Sequence, residues 1–282
     1  MIDPSIENFV NSFWPLNTVC SNLPQTYDEH ISNLRTCCDG HVIDRLDVLV
    51  KQRDNSMQEG RDGTDEYSEV TNFVFKNRIH EVWSPSGIIA SRNALSLLLQ
   101  EFQSVQTPFS LLDMGCGSGM VDIGLALRLP QLKHVYAVDK SAEALEVFRE
   151  NIESKISDRR DMFTLLNHDY TENEFRSICK ELEPSGVPYV ISVFPFQGSS
   201  HILGIFPHFL SSDGKILACI PICKNGYDHI SWEEFMDYAD GENAQNALHR
   251  YGLKWRRRDY VQTAKDMCVE VVRVTGWNDK EG

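Results

Sequence analysis

From residue 109 onward, short apolar runs alternate with helical patterns, and this alternation restricts the fold more than any other feature of the chain. Strand-like runs stand at 110–114 (SLLDM), 134–139 (HVYAVD), 163–169 (FTLLNHD), 189–194 (YVISVF), 215–222 (KILACIPI), 254–262 (KWRRRDYVQ) and 268–277 (CVEVVRVTGW). Helical patterns separate the first five, for example MVDIGLALRL at 120–129 and SAEALEVFRENIESK at 141–155. The second opens on Ser141 as a cap, with Glu143 and Glu146 in its first turns, where acids suit the positive end of a helix. Strand and helix in alternation predict an α/β fold: a Rossmann-like, seven-stranded, mostly parallel sheet with helices on both faces. No helix separates the last two strands, so they are expected as an antiparallel pair at one edge.

The residues before this region read differently. SIENFVNSFWPLN and YDEHISNLRTCCDGHVIDRLDVLVKQ carry apolar spacing compatible with short helices, whereas 53–69 (RDNSMQEGRDGTDEYSE) is polar and reads as a loop or linker. Residues 70–83 (VTNFVFKNRIHEVW) alternate enough to predict one or two strands, and 84–102 a turn feeding a helix with Ser84 or Ser86 as its cap. The expected organisation is an amino-terminal helical segment over 1–69, acting as lid or appendage and ending in a polar linker, followed by a larger domain over 70–282.

Composition removes several classes of function. A net charge of -14 opposes a broad nucleic-acid footprint. The one basic cluster, KWRRRDY at 254–260, would split its charges between two faces of a strand and reads as a solvated sheet edge. No run approaches the roughly 18 to 20 apolar residues that span a bilayer. The start, MIDPSIENFV, has neither the basic region nor the apolar core of an export signal, so a cytoplasmic location without membrane attachment is expected. Eight cysteines are scattered without a CxxC pair, which fits reduced thiols and no bound metal.

The turn after the first of these strands is FSLLDMGCGSGMVDIGLA at 109–126, in which Gly115, Gly117 and Gly119 alternate with Cys116 and Ser118. In a doubly wound sheet the ligand lies beyond the carboxyl ends of the strands, and bare glycines let it approach the main chain. A dinucleotide fingerprint would require glycine at 120, which is Met, and no GK[ST] follows to cradle a phosphate. The next strand ends in Asp139, placed to accept from both hydroxyls of a ribose, and the third ends in Asp169.

LLDMGCGSG, AVDKS and NHDY, in this order and spacing, resemble motifs I, II and III of the class I S-adenosylmethionine-dependent methyltransferases, over roughly residues 70 to 277. The resemblance implies a seven-stranded sheet with its last strand inserted antiparallel, and S-adenosyl-L-methionine as cofactor. It implies that Gly115, Cys116, Gly117 and Gly119 pass under the methionine and ribose portions and that Asp139 holds the ribose hydroxyls. Lys140 would flank the adenine, Asp169 would accept from its amino group with Tyr170 alongside, and Asp113 would fix the loop or meet the cofactor's ammonium through water.

The fourth strand bears on the acceptor. YVISVFPFQGSS stands where enzymes similar to the release-factor glutamine methyltransferases carry NPPY, and here the positions read Val193, Phe194, Pro195 and Phe196. Without the Asn, an amide cannot be held in that family's way, and two aromatics would favour an apolar or cationic acceptor. Those four residues with Trp14 and Trp83 form the candidate substrate pocket; a plain strand end with core aromatics is the alternative. His168, His201 and His208 are expected near strand ends, but none is assigned as a base. The leading expectation is methyl transfer to a small molecule at nitrogen. A protein acceptor, or use of the sulfonium for other chemistry, remains open.

Overall fold

The computed structural model describes residues 2–21, 23–24, 26–59, 64–170, 173–193, 206–223, 253–264 and 267–278. Among the described residues, the helices before the first strand are α1 (Pro4–Phe13), α2 (Thr18–Ser21), α3 (Tyr27–Cys37), α4 (Gly40–Gln58), α5 (Thr64–Lys76), α6 (His80–Trp83) and α7 (Pro85–Phe102). Then follow β1 (Phe109–Met114), α8 (Met120–Arg128), β2 (Leu132–Asp139), α9 (Ala142–Lys155), β3 (Phe163–Asn167), α10 (Asn173–Leu182), β4 (Val187–Val193), β5 (Leu210–Cys223), β6 (Leu253–Ala264) and β7 (Met267–Asn278). Among the described residues no helix is long and apolar enough to cross a membrane.

The sheet runs β3-β2-β1-β4-β5-β7-β6. The strands from β3 to β5 are parallel, β7 lies antiparallel to β5, and β6 pairs antiparallel with β7 at the edge. Successive strands β1, β2, β3 step one way from the centre and β4, β5 the other. The order therefore reverses between β1 and β4, the position beyond whose carboxyl ends ligands bind in sheets of this kind. Five of the six residues of β1 are buried, because helices cover both of its faces.

Alternation along each strand sorts the core into two layers. Leu111, Val135, Ala137, Ile191 and Leu217 pack under α7, α8 and α9, with Leu95, Leu98, Phe102, Ile123 and Phe148. Leu112, Met114, Val138, Val190 and Ile216 face the other way, onto Phe175 of α10 and onto Phe206 and Phe209. Helix α1 joins the first layer from outside. Asp3 caps it by accepting from Ser5 N at 2.7 Å, and Ile6, Val10 and Trp14 are buried with α7 and α8.

Residues 53–83 depart from the sequence-based expectation. The stretch expected as a polar linker is helical on both sides of residues 60–63, since α4 runs to Gln58 and α5 begins at Thr64, with the Ser56 hydroxyl donating to Glu66. The strands expected at 70–83 are helices α5 and α6. Val70 and Val74 are four residues apart and bury one helical face against Ile31 and Leu34 of α3 and Ile43, Leu46 and Val50 of α4, a third apolar cluster. Over so short a run the strand and helix periods overlap. Position 69/70 thus lies inside α5.

Trp14 is 6% exposed. Trp14→Ala should therefore lower the free energy of unfolding by about 3 kcal/mol, read by denaturant titration, since a buried aromatic leaves a cavity.

Candidate functional site

The β1–α8 turn is built on three left-handed glycines at alternate positions. Gly115, Gly117 and Gly119 have φ of 84°, 54° and 69°, a region in which a side chain costs roughly 1–2 kcal/mol per residue. A Cβ on Gly119 would also lie 2.1 Å from the Phe148 ring, so this glycine is required by packing as well as by backbone. The loop is pinned by the neighbouring strand: Gly115 N and Cys116 N both donate to Val138 O, at 2.8 and 3.0 Å. Gly119 N donates to Cys116 O at 3.0 Å, and Gly117 N donates to Asp139 Oδ2 at 2.9 Å.

Asp139 ends β2 and serves two elements at once. Its Oδ2 takes Gly117 N, while Oδ1 takes Ser141 N at 2.8 Å, just where Ser141 caps α9 by accepting from Ala144 N. Burial pushes its carboxyl up, against the lowering effect of those two N–H donors and of Lys140. Asn167 at the end of β3 donates to the carbonyls of Asp139 and Lys140, at 3.1 and 3.0 Å, which fixes the turn from the other side. Lys140 itself is exposed. Tyr170 is pushed up to about 12 by burial and by the negative charges of Asp169 and Asp139, so the first three strand ends converge on one place.

The loop's surroundings are acidic. Asp113 at the end of β1 is 2% exposed and Asp122 in the first turn of α8 is fully buried. Burial, with a contribution from Asp139, raises Asp113 to about 7; burial and Asp113 raise Asp122 well above the carboxylate range. Burial and the same three carboxyls keep the Cys116 thiol neutral.

Helix α5 covers the loop, with the Phe75 ring 3.7 Å from where a Cβ on Gly117 would stand. The helix ends in a Schellman motif: Ile79 N donates to Val74 O and Arg78 N to Phe75 O. The left-handed residue there is Arg78, at φ 57°, not the usual glycine. Its guanidinium grips both oxygens of Glu150 on α9, at 2.6 and 3.1 Å, tying α5 to the helix that Asp139 starts. His80 stacks on Phe75 with centroids 5.0 Å apart, and burial, aided by Arg78, pulls its imidazole down to about 4.

Asp113, Gly115, Cys116, Gly117, Gly119, Asp139, Lys140, Asp169 and Tyr170 are thus gathered at the carboxyl ends of β1, β2 and β3. Val193 ends β4, partly buried against the first core layer. Phe194, Pro195, Phe196 and His201 lie outside the described residues. Trp14 is not brought to the loop but packs in the core with α7 and α8, and Trp83 is half-buried with its ring 5.3 Å from His30. His208 sits just before β5, whose Leu210 pairs with Val187 at the start of β4, so it marks the opposite end of the sheet from the loop. Phe75, Arg78, Asp122, Asn151 (donating to Ser118 O at 2.9 Å) and Asn167 were not singled out from sequence. Asp122 alone had a readable signal, an acid in an otherwise apolar helical pattern.

Residues 82–180 match the family model of the methyltransferase small domain. That match covers about a third of the chain; over it the chain is similar to a methyltransferase domain, which supports a transferase with S-adenosylmethionine as cofactor. Among curated proteins, none matches the sequence. The chain is similar to the solved structure of precorrin-6y C5,15-methyltransferase from Geobacter metallireducens GS-15, at 14% identity and TM-score 0.45, over 65% of this chain and 87% of that one. It is similar to precorrin 8W decarboxylase of Methanobacterium thermoautotrophicum, at 18% identity and TM-score 0.43, over 64% of this chain and 87% of that one. TYW2 of M. jannaschii in complex with AdoMet is similar at 16% identity and TM-score 0.44, over 65% of this chain and 76% of that one.

Two outcomes are expected. Gly119→Ala should destabilise the protein more than Gly115→Ala in thermal unfolding, because both strain the backbone but a Cβ at Gly115 meets nothing within 4 Å. His80 binds its proton more weakly folded than unfolded, so its neutral form contributes stability present above about pH 6.5 and lost as the pH falls toward about 4. His80→Gln should remove up to about 3 kcal/mol of that acid-side loss, measured by denaturant titration across the window.

Proposed function

We propose that the protein transfers the methyl group of S-adenosylmethionine to a small molecule at nitrogen. The observation that carries the cofactor part is the electrostatic character of the glycine loop. Four of its N–H groups are already given to Val138, Cys116 and Asp139, and the carboxyls of Asp113, Asp122 and Asp139 surround it. An anion held by loop N–H groups, as in a phosphate cradle, would find those donors spent and acidic side chains beside it. A nucleoside carrying a sulfonium and an ammonium suits such a setting.

Bound there, the cofactor supplies a methyl carbon activated by its sulfonium. The chain's own part is to bind, orient and exclude water. The remaining lone pairs of Asp139 face the place for the ribose hydroxyls, since each oxygen has spent only one on the backbone. Asp169 and Tyr170 line the adenine end, and Phe75 shields the loop from solvent. Val193 leads from the end of β4 toward Phe194, Pro195 and Phe196, which we assign to the acceptor together with Trp83.

A neutral amine attacks without a general base, the C–S bond breaking as the C–N bond forms and the amine proton leaving afterwards to solvent. Such a step depends on alignment, with reacting atoms roughly 3–3.5 Å apart. The missing Asn at the NPPY position supports an acceptor other than a release-factor-type amide, and the strongly acidic chain disfavours nucleic acid.

Calorimetry with S-adenosylmethionine and its demethylated product tests the cofactor, and the mass of the species that takes up a labelled methyl group tests the acceptor. Label on protein would replace the small-molecule reading with a protein acceptor; cofactor binding without label in any product would point to other sulfonium chemistry. Asp139→Ala should weaken cofactor binding at least tenfold, the equivalent of about 1.4 kcal/mol, because charge-assisted hydrogen bonds of roughly 1.5–3 kcal/mol each are lost. It should also lower the melting temperature, since Gly117 N and Ser141 N lose their acceptor.

A further inference from the structure

We infer that Asp113 and Asp122 act as a single acid that shares one proton beneath the glycine loop and releases it when the cofactor's cationic end arrives. The inference rests on the cofactor reading above and adds Asp122 as a positioning residue. Asp113 is 2% exposed and Asp122 fully buried, and their side chains meet. Apart from that meeting, Asp113 Oδ1 and both oxygens of Asp122 have no hydrogen-bond partner. Among the described residues no Lys, Arg or His forms an ion pair with either carboxyl.

Asp122 stands at the third position of α8, from which an acid ordinarily reaches back to the N–H of the capping residue. That N–H belongs to Gly119 and is committed to Cys116 O at 3.0 Å, so a helix cap does not account for this side chain. Two touching carboxyls in a dry site cannot both be ionised; a proton held between them satisfies one oxygen of each and leaves a single negative charge.

The ionisable groups facing the pair are Asp139 from β2, which adds negative charge, and the neutral Cys116 in the loop. Helix α7 packs on α8 and brings a buried Arg92, whose Nη2 donates to Asn11 on α1 at 2.5 Å and whose Nη1 has no partner, but it does not act on either carboxyl. Nothing in this environment favours the doubly ionised state until a cation enters the loop. When one does, the pair gives its proton to the buffer and gains the counter-charge. The direction follows: cofactor affinity should rise with pH through the neutral range.

The test is calorimetry of S-adenosylmethionine binding to the full chain, in buffers of different ionisation enthalpy and at several pH values around 7. The expected result is a buffer-dependent heat that reports proton release, with affinity increasing several-fold per pH unit at the steepest point. In Asp122→Asn, binding should persist with a proton release and pH dependence displaced from those of the wild type, because burial still raises Asp113 while the partner that shared its proton is gone. A purely structural Asp122 would change stability and leave the proton linkage as in the wild type. Binding without buffer dependence in the wild type, or with the same dependence in Asp122→Asn, overturns the shared proton and leaves the cofactor reading standing. No binding heat at all from folded protein overturns the cofactor reading and this inference with it. Should Asp122→Asn not fold, the wild-type infrared spectrum decides. A protonated-carboxyl band that weakens on adding S-adenosylmethionine supports the pair, and its absence before addition overturns it.

Discussion

The carboxylate of Asp139 is the interaction on which the site depends. One oxygen holds Gly117 N and the other holds Ser141 N, so a single side chain sets the path of the glycine loop and the start of α9 together. Neither the loop nor the helix could shift alone without stranding a buried oxygen.

Around that carboxylate the protein has collected strain and charge. Gly115, Gly117 and Gly119 all occupy left-handed backbone, and Arg78 adopts it without glycine's freedom. A non-glycine residue in that conformation persists only where its surroundings hold it, and here the surroundings are the Glu150 carboxylate and the carbonyl of Phe75. Arginine at this position joins the end of α5 to α9, which glycine could not do. Through that joint, a helical layer lying before the sheet in sequence is held over a loop that follows the first strand. Buried Asp113 and Asp122, both pushed toward their neutral forms, lie below the same loop, and the Phe75 ring lies above it.

The helices before β1 show how differently two parts of an amino-terminal segment are used. Helix α1 lays Ile6, Val10 and Trp14 onto α7 and α8, in the core layer behind the sheet. Helices α3, α4 and α5 form their own apolar cluster, and its outer end brings Phe75 and His80 to the glycine loop. Trp14, expected in the substrate pocket, packs in the core, and among the described residues Phe75 reaches the loop from α5, a stretch whose pattern reads as strands.

The sequence by itself determined the parallel sheet, the position of the turn and the acids at three strand ends. Each of these is local: a run of apolar residues buried on both faces, glycines where a Cβ has no room, and a carboxylate at a fixed offset from a strand. It also carried Asp139, Lys140, Asp169 and Tyr170 to the site, because in a parallel sheet every strand end emerges on one side. Tertiary structure alone decided what sits on those residues. Val70, Phe73, Val74 and Phe75 fit a strand or a helix equally well in isolation, and only the apolar faces of α3 and α4 select the helix. Phe75 and Gly117 are far apart in the chain, as are Arg78 and Glu150, and their contacts exist only once the two halves pack. The meeting of Asp113 with Asp122 depends on how α8 turns back over β1. Contacts of that kind follow from how the packed elements meet, which no spacing along the chain records.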